Sequence, residues 1–283
     1  MDKKTWIERK KFAKQIQIET VKMIASLGVG HLGGSFSLAD LLSVLYGEQL
    51  RHDPKNPQWE GRDWLICSKG HAGPALYAAL ALKGFFPLKE LETLNRPRTH
   101  LPSHCDRNLT PGVDMTTGSL GQGGSTAAGV ALAHKMNGTD NRVFLILGDG
   151  ESQEGQVWEM ALFAAQYKLS NLIAFLDYNH LQIDGTTEEV NDLGDMAAKF
   201  REFNWFTLEV DGHDPAAINS AIELSKAQRK APSLIVLNTV KGEGWSASAG
   251  KVGSHSRTVS PEELKEALKE MEAALAALEE VGK

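Results

Sequence analysis

The stretch V-F-L-I-L-G-D-G, residues 143–150, decides the fold class of this chain. Its apolar run predicts a buried strand, and the glycine turn leads into 156–168, where apolar residues recur at helical spacing. A second apolar run, L-I-A-F-L-D at 172–177, is followed by Asn179. Strand, turn, helix and strand form one βαβ unit, whose two strands run parallel. The unit predicts an α/β fold in which Asp149 and Asn179 follow the ends of two strands.

The polar residues at these two strand ends predict a site for a metal ion and an anion. In an open parallel sheet, ligands bind in the crevice outside the carboxyl ends of the strands. The side-chain oxygens of Asp149 and Asn179 suit magnesium or calcium, which can also hold phosphate oxygens. Gly148 and Gly150 let the backbone approach an anion closely, and the N-terminus of the following helix favours its negative charge.

The same alternation of elements extends along most of the chain. Helices are expected at about 5–26, 37–50, 72–84, 122–136, 155–168, 192–203, 214–229 and 260–281, and strands near 64–67, 143–147, 171–176, 206–210 and 233–239. Such alternation predicts a parallel sheet with helices on both faces. Because the regular alternation begins only after about residue 120, we interpret residues 1–283 as a single domain with a helical N-terminal wrap.

Composition narrows the functional classes. The hydrophobic content of 42% and charged content of 23% are ordinary for a globular protein that functions in water. A net charge of −6 argues against binding to nucleic acid or to an anionic membrane surface. The apolar runs are too short to cross a bilayer. The two cysteines, Cys67 and Cys105, have neither metal-ligand nor redox spacing, so we expect a reducing cytoplasm.

Four candidates stand out among the nine histidines, each in a loop beside glycine or serine: His31, His71, His104 and His255. A single loop histidine is usually only solvated, but four in such loops suggest a shared role. Imidazole can donate a hydrogen bond to a sugar hydroxyl or a diphosphate oxygen, or transfer a proton near neutral pH. We therefore interpret these four as candidate catalytic residues.

Two longer motifs carry a family resemblance. G-D-G-E-S-Q-E-G at 148–155 and D-Y-N-H-L-Q-I-D-G at 177–185 together resemble the thiamine-diphosphate signature, and the surrounding motifs resemble the transketolase family. The resemblance covers roughly residues 10–258. It implies the diphosphate-binding module of the thiamine-diphosphate-binding fold, with thiamine diphosphate and Mg²⁺ (or Ca²⁺ or Mn²⁺) as cofactors. A full-length transketolase is much longer, so the resemblance implies the N-terminal subunit of a split transketolase.

The resemblance also assigns roles to single residues. It implies that the metal ligands are Asp149, the Asn179 side chain and the Leu181 carbonyl. His31 and His104 are expected to face the donor sugar. The residues expected to contact the cofactor are His71, Gly118, Ser119, Leu120, Gly148, Asp149, Gly150, Glu151, Asn179 and His255, of which His255 also reaches the sugar.

A further implication of the resemblance is a partner chain. The expected partner is a C-terminal transketolase subunit that carries the pyrimidine-binding module, supplies the glutamate for ylid formation and helps to bind sugar phosphates. The two chains are expected to form a dimer of heterodimers, with Glu154 in the contact between unlike chains. The implied reaction, a step of the pentose phosphate pathway, transfers a two-carbon ketol unit from a ketose or its phosphate to an aldose or its phosphate. This chain alone is expected to be inactive.

Other functions remain open on the sequence. A chain of this kind could belong to a 1-deoxyxylulose-phosphate synthase-like enzyme or be the α chain of a 2-oxoacid dehydrogenase. It could also be a non-catalytic binding or assembly protein on the same fold. The Gln153-Glu154-Gly155 motif and the His255 loop favour a transketolase, and the presence of Asp149, Asn179 and the four histidines favours an enzyme. The identity of the ketose and the aldose is left undetermined.

Overall fold

A computed structural model of the chain describes residues 1–282 and contains one five-stranded and one two-stranded sheet. In chain order the strands are β1 (Val29–Gly30), β2 (Trp64–Cys67), β3 (Val143–Gly148), β4 (Leu172–Tyr178), β5 (Phe206–Asp211), β6 (Ser233–Asn238) and β7 (Arg257–Thr258). The larger sheet has the order β2-β3-β4-β6-β5, and all of its strands are parallel. The predicted α/β fold with a parallel sheet is therefore confirmed.

Helices cover this sheet and connect its strands. In chain order they are α1 (Lys3–Leu27), α2 (Gly33–Phe36), α3 (Ala39–Val44), α4 (Gly73–Leu82), α5 (Gln122–Met136), α6 (Gly155–Gln166), α7 (Thr187–Asn191), α8 (Met196–Glu202), α9 (Pro215–Ala227) and α10 (Pro261–Val281). Within residues 1–282, none of them combines the length and the apolar character that a membrane-spanning helix needs.

The sheet separates two apolar layers, as the sequence pattern of β3 shows. Phe144 and Ile146 pack into the layer that contains residues of α1, α3, α4, α9 and α10. Val143, Leu145 and Leu147 pack on the other side, with residues of α5, α6 and α8. Because successive side chains of a strand point to opposite faces, a strand covered on both faces must be apolar throughout. This arrangement confirms that helices lie on both faces.

Two predicted helices differ from the structure. The helix expected at 37–50 is broken: α3 covers only part of it, and residues 45–49 form a π-helical turn. The helix expected at 192–203 begins later, at Met196, because the Asp195 side chain accepts a backbone N–H of the first turn and caps the helix there. Residues 192–195 are not helical, and a separate short helix, α7, ends at Asn191.

The last helix, α10, packs along the first helix, α1. It begins with a capping box: Ser260 accepts from the Glu263 backbone N–H, and the Glu263 carboxylate accepts from the Ser260 backbone N–H. Ala267 and Met271 are fully buried at the helix contact. The apolar side chains that α10 packs against α1 are therefore part of the core of this chain.

A two-stranded antiparallel ribbon, which the sequence pattern did not predict, joins distant parts of the chain. Val29 of β1 pairs with Thr258 of β7, and Gly30 pairs with Arg257. The ribbon brings the loop that carries His31 next to the segment that follows His255. It thereby sets one wall of the candidate site.

Candidate active site

Four neighbouring strands bring polar side chains to one edge of the sheet. Lys69 follows β2, Asp149 follows β3, Asn179 follows β4 and Lys241 lies three residues after β6. All four line a cavity of about 290 Å³. The cavity therefore lies at the carboxyl ends of the parallel strands, where ligands of open α/β sheets bind.

Almost all of the sequence-predicted site residues meet in this cavity. Those that line it are His31, His71, His104, Gly118, Leu120, Gly148, Asp149, Gly150, Glu151, Asn179, Leu181 and His255. Ser119 does not line the cavity, and its side chain is exposed. Residues that the sequence reasoning did not single out also line it: Gly34, Lys69, Gln182, Ile183, Asp184 and Lys241.

Asn179 is hydrogen-bonded to each of the other two predicted metal ligands. The Asp149 Oδ2 accepts the Asn179 backbone N–H at 2.9 Å, and the Asn179 Oδ1 accepts the Leu181 backbone N–H at 3.2 Å. Burial raises the pKa of Asp149 to about 6, and the nearby Asp177 carboxylate adds to this effect. A cation beside the carboxylate would favour its charged form. Carboxylate, amide and carbonyl oxygens are the donor set that Mg²⁺ or Ca²⁺ prefers, so these residues fit the metal.

A metal site of three His, Cys, Asp or Glu side chains is not found among residues 1–282. The oxygen set just described is of a different kind, because one ligand is an amide side chain and another is a backbone carbonyl. The fit to a hard cation therefore rests on oxygen chemistry at the strand ends.

The two lysines of the cavity have different surroundings. The buried Lys69 ammonium pairs with the buried Asp177 carboxylate and donates to the Gly34 carbonyl at 2.9 Å. Burial raises the pKa of Asp177, but Lys69 and the hydroxyls of Ser37 and Thr239 outweigh burial, so the pKa lies below its usual value. Lys69 is therefore held by protein groups at the floor of the cavity.

Lys241 is the second lysine of the cavity. Its Nζ lies 2.9 Å from the Leu181 carbonyl oxygen and 3.1 Å from the His255 Nδ1. Burial lowers the pKa of Lys241 to about 8. Its position after a strand end was the only sequence signal that could have identified it, and Lys69 had the same signal.

The four predicted histidines form one cluster. Ring centroids lie 5.4 Å apart for His31 and His71, 5.7 Å for His31 and His104, 5.6 Å for His31 and His255, and 4.9 Å for His71 and His255. Burial, followed by the charge of Lys69, lowers the pKa of His71 to about 2. These rings come from four separate loops, so the fold assembles a polar wall that no single segment could provide.

Two other imidazoles of the cluster have depressed pKa values. Burial, followed by the charge of Lys241, lowers the pKa of His255 to about 4. Burial also lowers the pKa of His31, with a smaller contribution from His104. A neutral imidazole carries one N–H donor and one acceptor nitrogen. The cluster can therefore both donate to and accept from the hydroxyl groups of a sugar.

Glu151, an expected cofactor contact, lines the cavity and is also bonded to protein groups. Its Oε1 accepts from the Ser68 hydroxyl and from the Gly121 N–H at 2.9 Å, and its Oε2 accepts from the Gly148 N–H at 3.0 Å. Both carboxylate oxygens are thus bonded to protein groups. Glu151 joins the loop before α5 to the turn after β3, both of which border the cavity.

Comparison with known proteins identifies the family. Residues 8–274 match the family model described as "Transketolase, thiamine diphosphate binding domain". The chain belongs to the transketolase family. A 6-deoxy-6-sulfo-D-fructose transketolase subunit of Clostridium sp. (strain MSTE9) is 53% identical over 260 residues, which are 92% of this chain and 94% of that protein. An apulose-4-phosphate transketolase subunit of Phocaeicola vulgatus is 36% identical, and the match covers 92% of each chain.

Longer transketolases match this chain over less than half of their own length. Transketolase 2 of Escherichia coli is 36% identical across 91% of this chain, but across only 40% of its own. The structure of a transketolase from Campylobacter jejuni superposes with a TM-score of 0.88 at 31% identity, and the match covers 98% of this chain and 46% of that one. A transketolase from Pichia stipitis in complex with sedoheptulose 7-phosphate also gives a TM-score of 0.88, at 28% identity, covering 98% and 45%. The transketolase thiamine-diphosphate-binding fold is therefore confirmed for this chain.

Proposed function

We propose that this chain is the N-terminal subunit of a two-chain transketolase that transfers a two-carbon ketol unit from a ketose to an aldose. The observation that carries the proposal is the cavity at the strand ends, where an oxygen donor set lies beside four clustered histidines. Three of the similar proteins that this chain matches over most of their length are themselves named transketolase subunits. These relatives favour a transketolase over a synthase piece, a dehydrogenase chain or a non-catalytic protein.

The proposed cofactor is thiamine diphosphate with a divalent cation, preferably Mg²⁺. Asp149, the Asn179 Oδ1 and the Leu181 carbonyl would hold the cation, and Gly118 and Leu120 would border the rings of the cofactor. When bound, the thiazolium ring supplies the carbon nucleophile of the reaction. The histidine cluster would orient the hydroxyl groups of the ketose and hold or transfer their protons.

The proposed partner is a second chain with the pyrimidine-binding module, which would close the cavity and exclude water. Leu120, an apolar side chain at the cavity wall, is 38% exposed. Glu154 on the adjacent turn is also exposed, and its carboxylate accepts no hydrogen bond from the described residues. Both are suitably placed for a contact with another chain. We further propose that two such pairs assemble into a closed, symmetric dimer of heterodimers.

We propose 6-deoxy-6-sulfo-D-fructose as the first donor to test. The support is the 53% identity to the Clostridium subunit named for this sugar, against 36% to the subunits named for apulose 4-phosphate. Both named sugars carry an anionic group away from the ketol end, so a ketose of this type is the shared chemical class. Ketol transfer needs only the carbonyl and neighbouring hydroxyls, which the histidine cluster can contact.

The substrate test is an assay of the chain together with its partner. The assembled pair is supplied with one ketose at a time from a panel of sulfo-sugars and sugar phosphates, together with an aldose phosphate acceptor. We expect turnover of at least one anionic ketose by the pair and none by this chain alone. Ketol transfer by the isolated chain would contradict the two-chain proposal, and a pair inactive with every donor would contradict the transketolase proposal.

The cofactor site has a separate test by calorimetry on the assembled pair. Asp149→Asn should abolish magnesium-dependent binding of thiamine diphosphate, because it removes the charged oxygen of the proposed metal set. Asp184→Asn is the matched control, since Asp184 is an exposed carboxylate that lines the same cavity. Equal cofactor affinity in the two variants would show that the metal site is misplaced.

A further inference from the structure

The hydrogen bond between Lys241 and His255 bears on which ring nitrogen of His255 carries the proton. The side chain is only 2% exposed, and its Nζ lies 3.1 Å from the His255 Nδ1. A lysine ammonium has three N–H donors and no acceptor. The His255 Nδ1 must therefore accept this hydrogen bond, and the single proton of the neutral imidazole must reside on Nε2.

The neighbouring chain segments hold Lys241 in this position. A methyl group at Gly33 would lie 2.9 Å from the Lys241 Cγ and 2.5 Å from the Ser254 Oγ, so the stem of the lysine passes through a space that only glycine leaves open. Backbone hydrogen bonds fix the loop itself, from the Gly250 N–H to the Lys241 carbonyl and from the Gly242 N–H to the Gly33 carbonyl. Lys241 is therefore preorganised for the contact.

The second bond of Lys241 is compatible with the proposed metal site. Its Nζ donates to the Leu181 carbonyl oxygen at 2.9 Å. A backbone carbonyl has two lone pairs, so Leu181 can accept this bond and still offer a lone pair to a cation. Lys241 thus joins the loop of the proposed metal ligands to the loop of His255.

We propose that Lys241 is a positioning residue that fixes His255 as the Nε2–H tautomer, so that His255 presents a hydrogen-bond donor to an oxygen of the ketose. The proposal rests on the proposed function, because the ketose is the ligand that receives the bond. His255 lines the cavity and its ring lies beside those of His31 and His71. An Nε2–H there adds a donor to the cluster, whereas an Nδ1–H tautomer would present only a lone pair.

The proposal is tested with two substitutions at Lys241 and one control. Lys241→Met matches the lysine stem as far as Cε but removes the donors, and Lys241→Arg restores a donor. Lys251→Met changes an exposed lysine of the same loop and serves as the control. Ring nitrogens are read by ¹H–¹⁵N correlation spectra of the chain, with the His255 signals assigned from their loss in His255→Gln.

We expect an Nε2–H signal for His255 in the wild type, in Lys241→Arg and in Lys251→Met, and a mixture of tautomers in Lys241→Met. In the assembled pair, Lys241→Met should lower kcat/KM for the ketose by about tenfold to a hundredfold, as expected for loss of a positioned proton donor. The affinity for thiamine diphosphate should change less than the kinetics. Retention of the Nε2–H tautomer in Lys241→Met would overturn the proposal.

Two other outcomes are also decisive. If Lys241→Met abolishes cofactor binding and leaves the tautomer unchanged, Lys241 serves the cofactor and the proposal is wrong. If the wild-type pair transfers no ketol unit from any donor, the proposed function fails. The spectra would in that case still show separately whether Lys241 sets the tautomer.

Discussion

Replacing Glu151 with glutamine tests the network that holds two cavity loops together. Glu151 is only 3% exposed, and its carboxylate accepts hydrogen bonds from Ser68, Gly121 and Gly148. These donors lie after β2, before α5 and at the end of β3, so one carboxylate connects three elements. Glu151→Gln preserves the shape of the side chain and replaces one acceptor oxygen with an NH₂ group.

The loss of stability in Glu151→Gln follows from the number of hydrogen-bond donors that the side chain must satisfy. The glutamine oxygen can keep the bonds from Ser68 and Gly121, but the NH₂ group then faces the Gly148 N–H, donor against donor. A buried N–H without an acceptor costs about 1–3 kcal/mol, and loss of the charge weakens the two remaining bonds. Burial raises the pKa of Glu151, so removing the buried charge offsets part of that loss. We expect a net destabilisation of about 2–3 kcal/mol.

The assay is urea unfolding of this chain without partner or cofactor, followed by circular dichroism. Glu154→Gln is the matched control on the same turn, because Glu154 is exposed and its change should stay within about 0.5 kcal/mol of wild type. Equal midpoints for the two variants would refute the bracing role. If Glu151→Gln is as stable as wild type but the pair no longer binds the cofactor, the carboxylate instead contacts the cofactor directly.

Three further substitutions have outcomes that the structure specifies. Gly123→Ala should destabilise the chain by about 1–3 kcal/mol in urea unfolding, because the new methyl group would lie 2.4 Å from the Ser68 Oγ. Gly129→Ala in the same helix is the control, since its methyl group meets open space and should stabilise the chain by about 0.5–1 kcal/mol. Equal effects of the two substitutions would contradict the packing at Gly123. His71, with a folded pKa of about 2, contributes stability above pH 6.5 that is lost as the pH falls, since the unfolded chain takes up the proton first. Between pH 6.5 and 4.5 wild type should therefore lose about 2.3 kcal/mol more than His71→Gln, and parallel pH profiles would exclude this role. Met271→Ala should cost about 2–5 kcal/mol, because the side chain is fully buried between α10 and the core, and a thermal melt unchanged from wild type would rule out that packing role.

The sheet and the strand-end residues could be predicted because the signals are local. The apolar runs of β3 and β4 are covered on both faces, and each strand is followed directly by a polar residue at the edge of the sheet where ligands bind. Asp149 and Asn179 were therefore identifiable from the amino-acid sequence alone. The parallel register of β3 and β4, in which Gly148 lies opposite Asp177, determines which residues lie beside Asp149 and Asn179.

The cationic residues of the cavity could not be predicted, because their environment depends on distant segments. Lys69 is held by Asp177, and Lys241 by the Leu181 carbonyl and His255. The one sequence signal at either lysine is its position shortly after a strand end, which a solvated side chain can share. The hydrogen bonds of Glu151 to the Ser68 hydroxyl and the Gly121 backbone likewise join segments that are distant in the sequence.

The missed helix boundaries have a similar cause. The π-helical turn at 45–49 continues a segment that is mostly buried, so apolar periodicity alone cannot show that the hydrogen-bond pattern changes there. The start of α8 depends on which of several nearby polar residues caps it, and only the backbone shows that it is Asp195. The ribbon of β1 and β7 is two residues long on each side, too short for any pattern of alternation.

That ribbon also dictates when the site can form during protein synthesis. Val29 and Gly30 are made early, but their pairing partners Thr258 and Arg257 are made more than 220 residues later, as 257 − 30 = 227. The loop that carries His31 can therefore take up its final position only after most of the polypeptide has left the ribosome. A nascent chain without the β7 segment lacks this wall, so the cavity is complete only after that segment has been made.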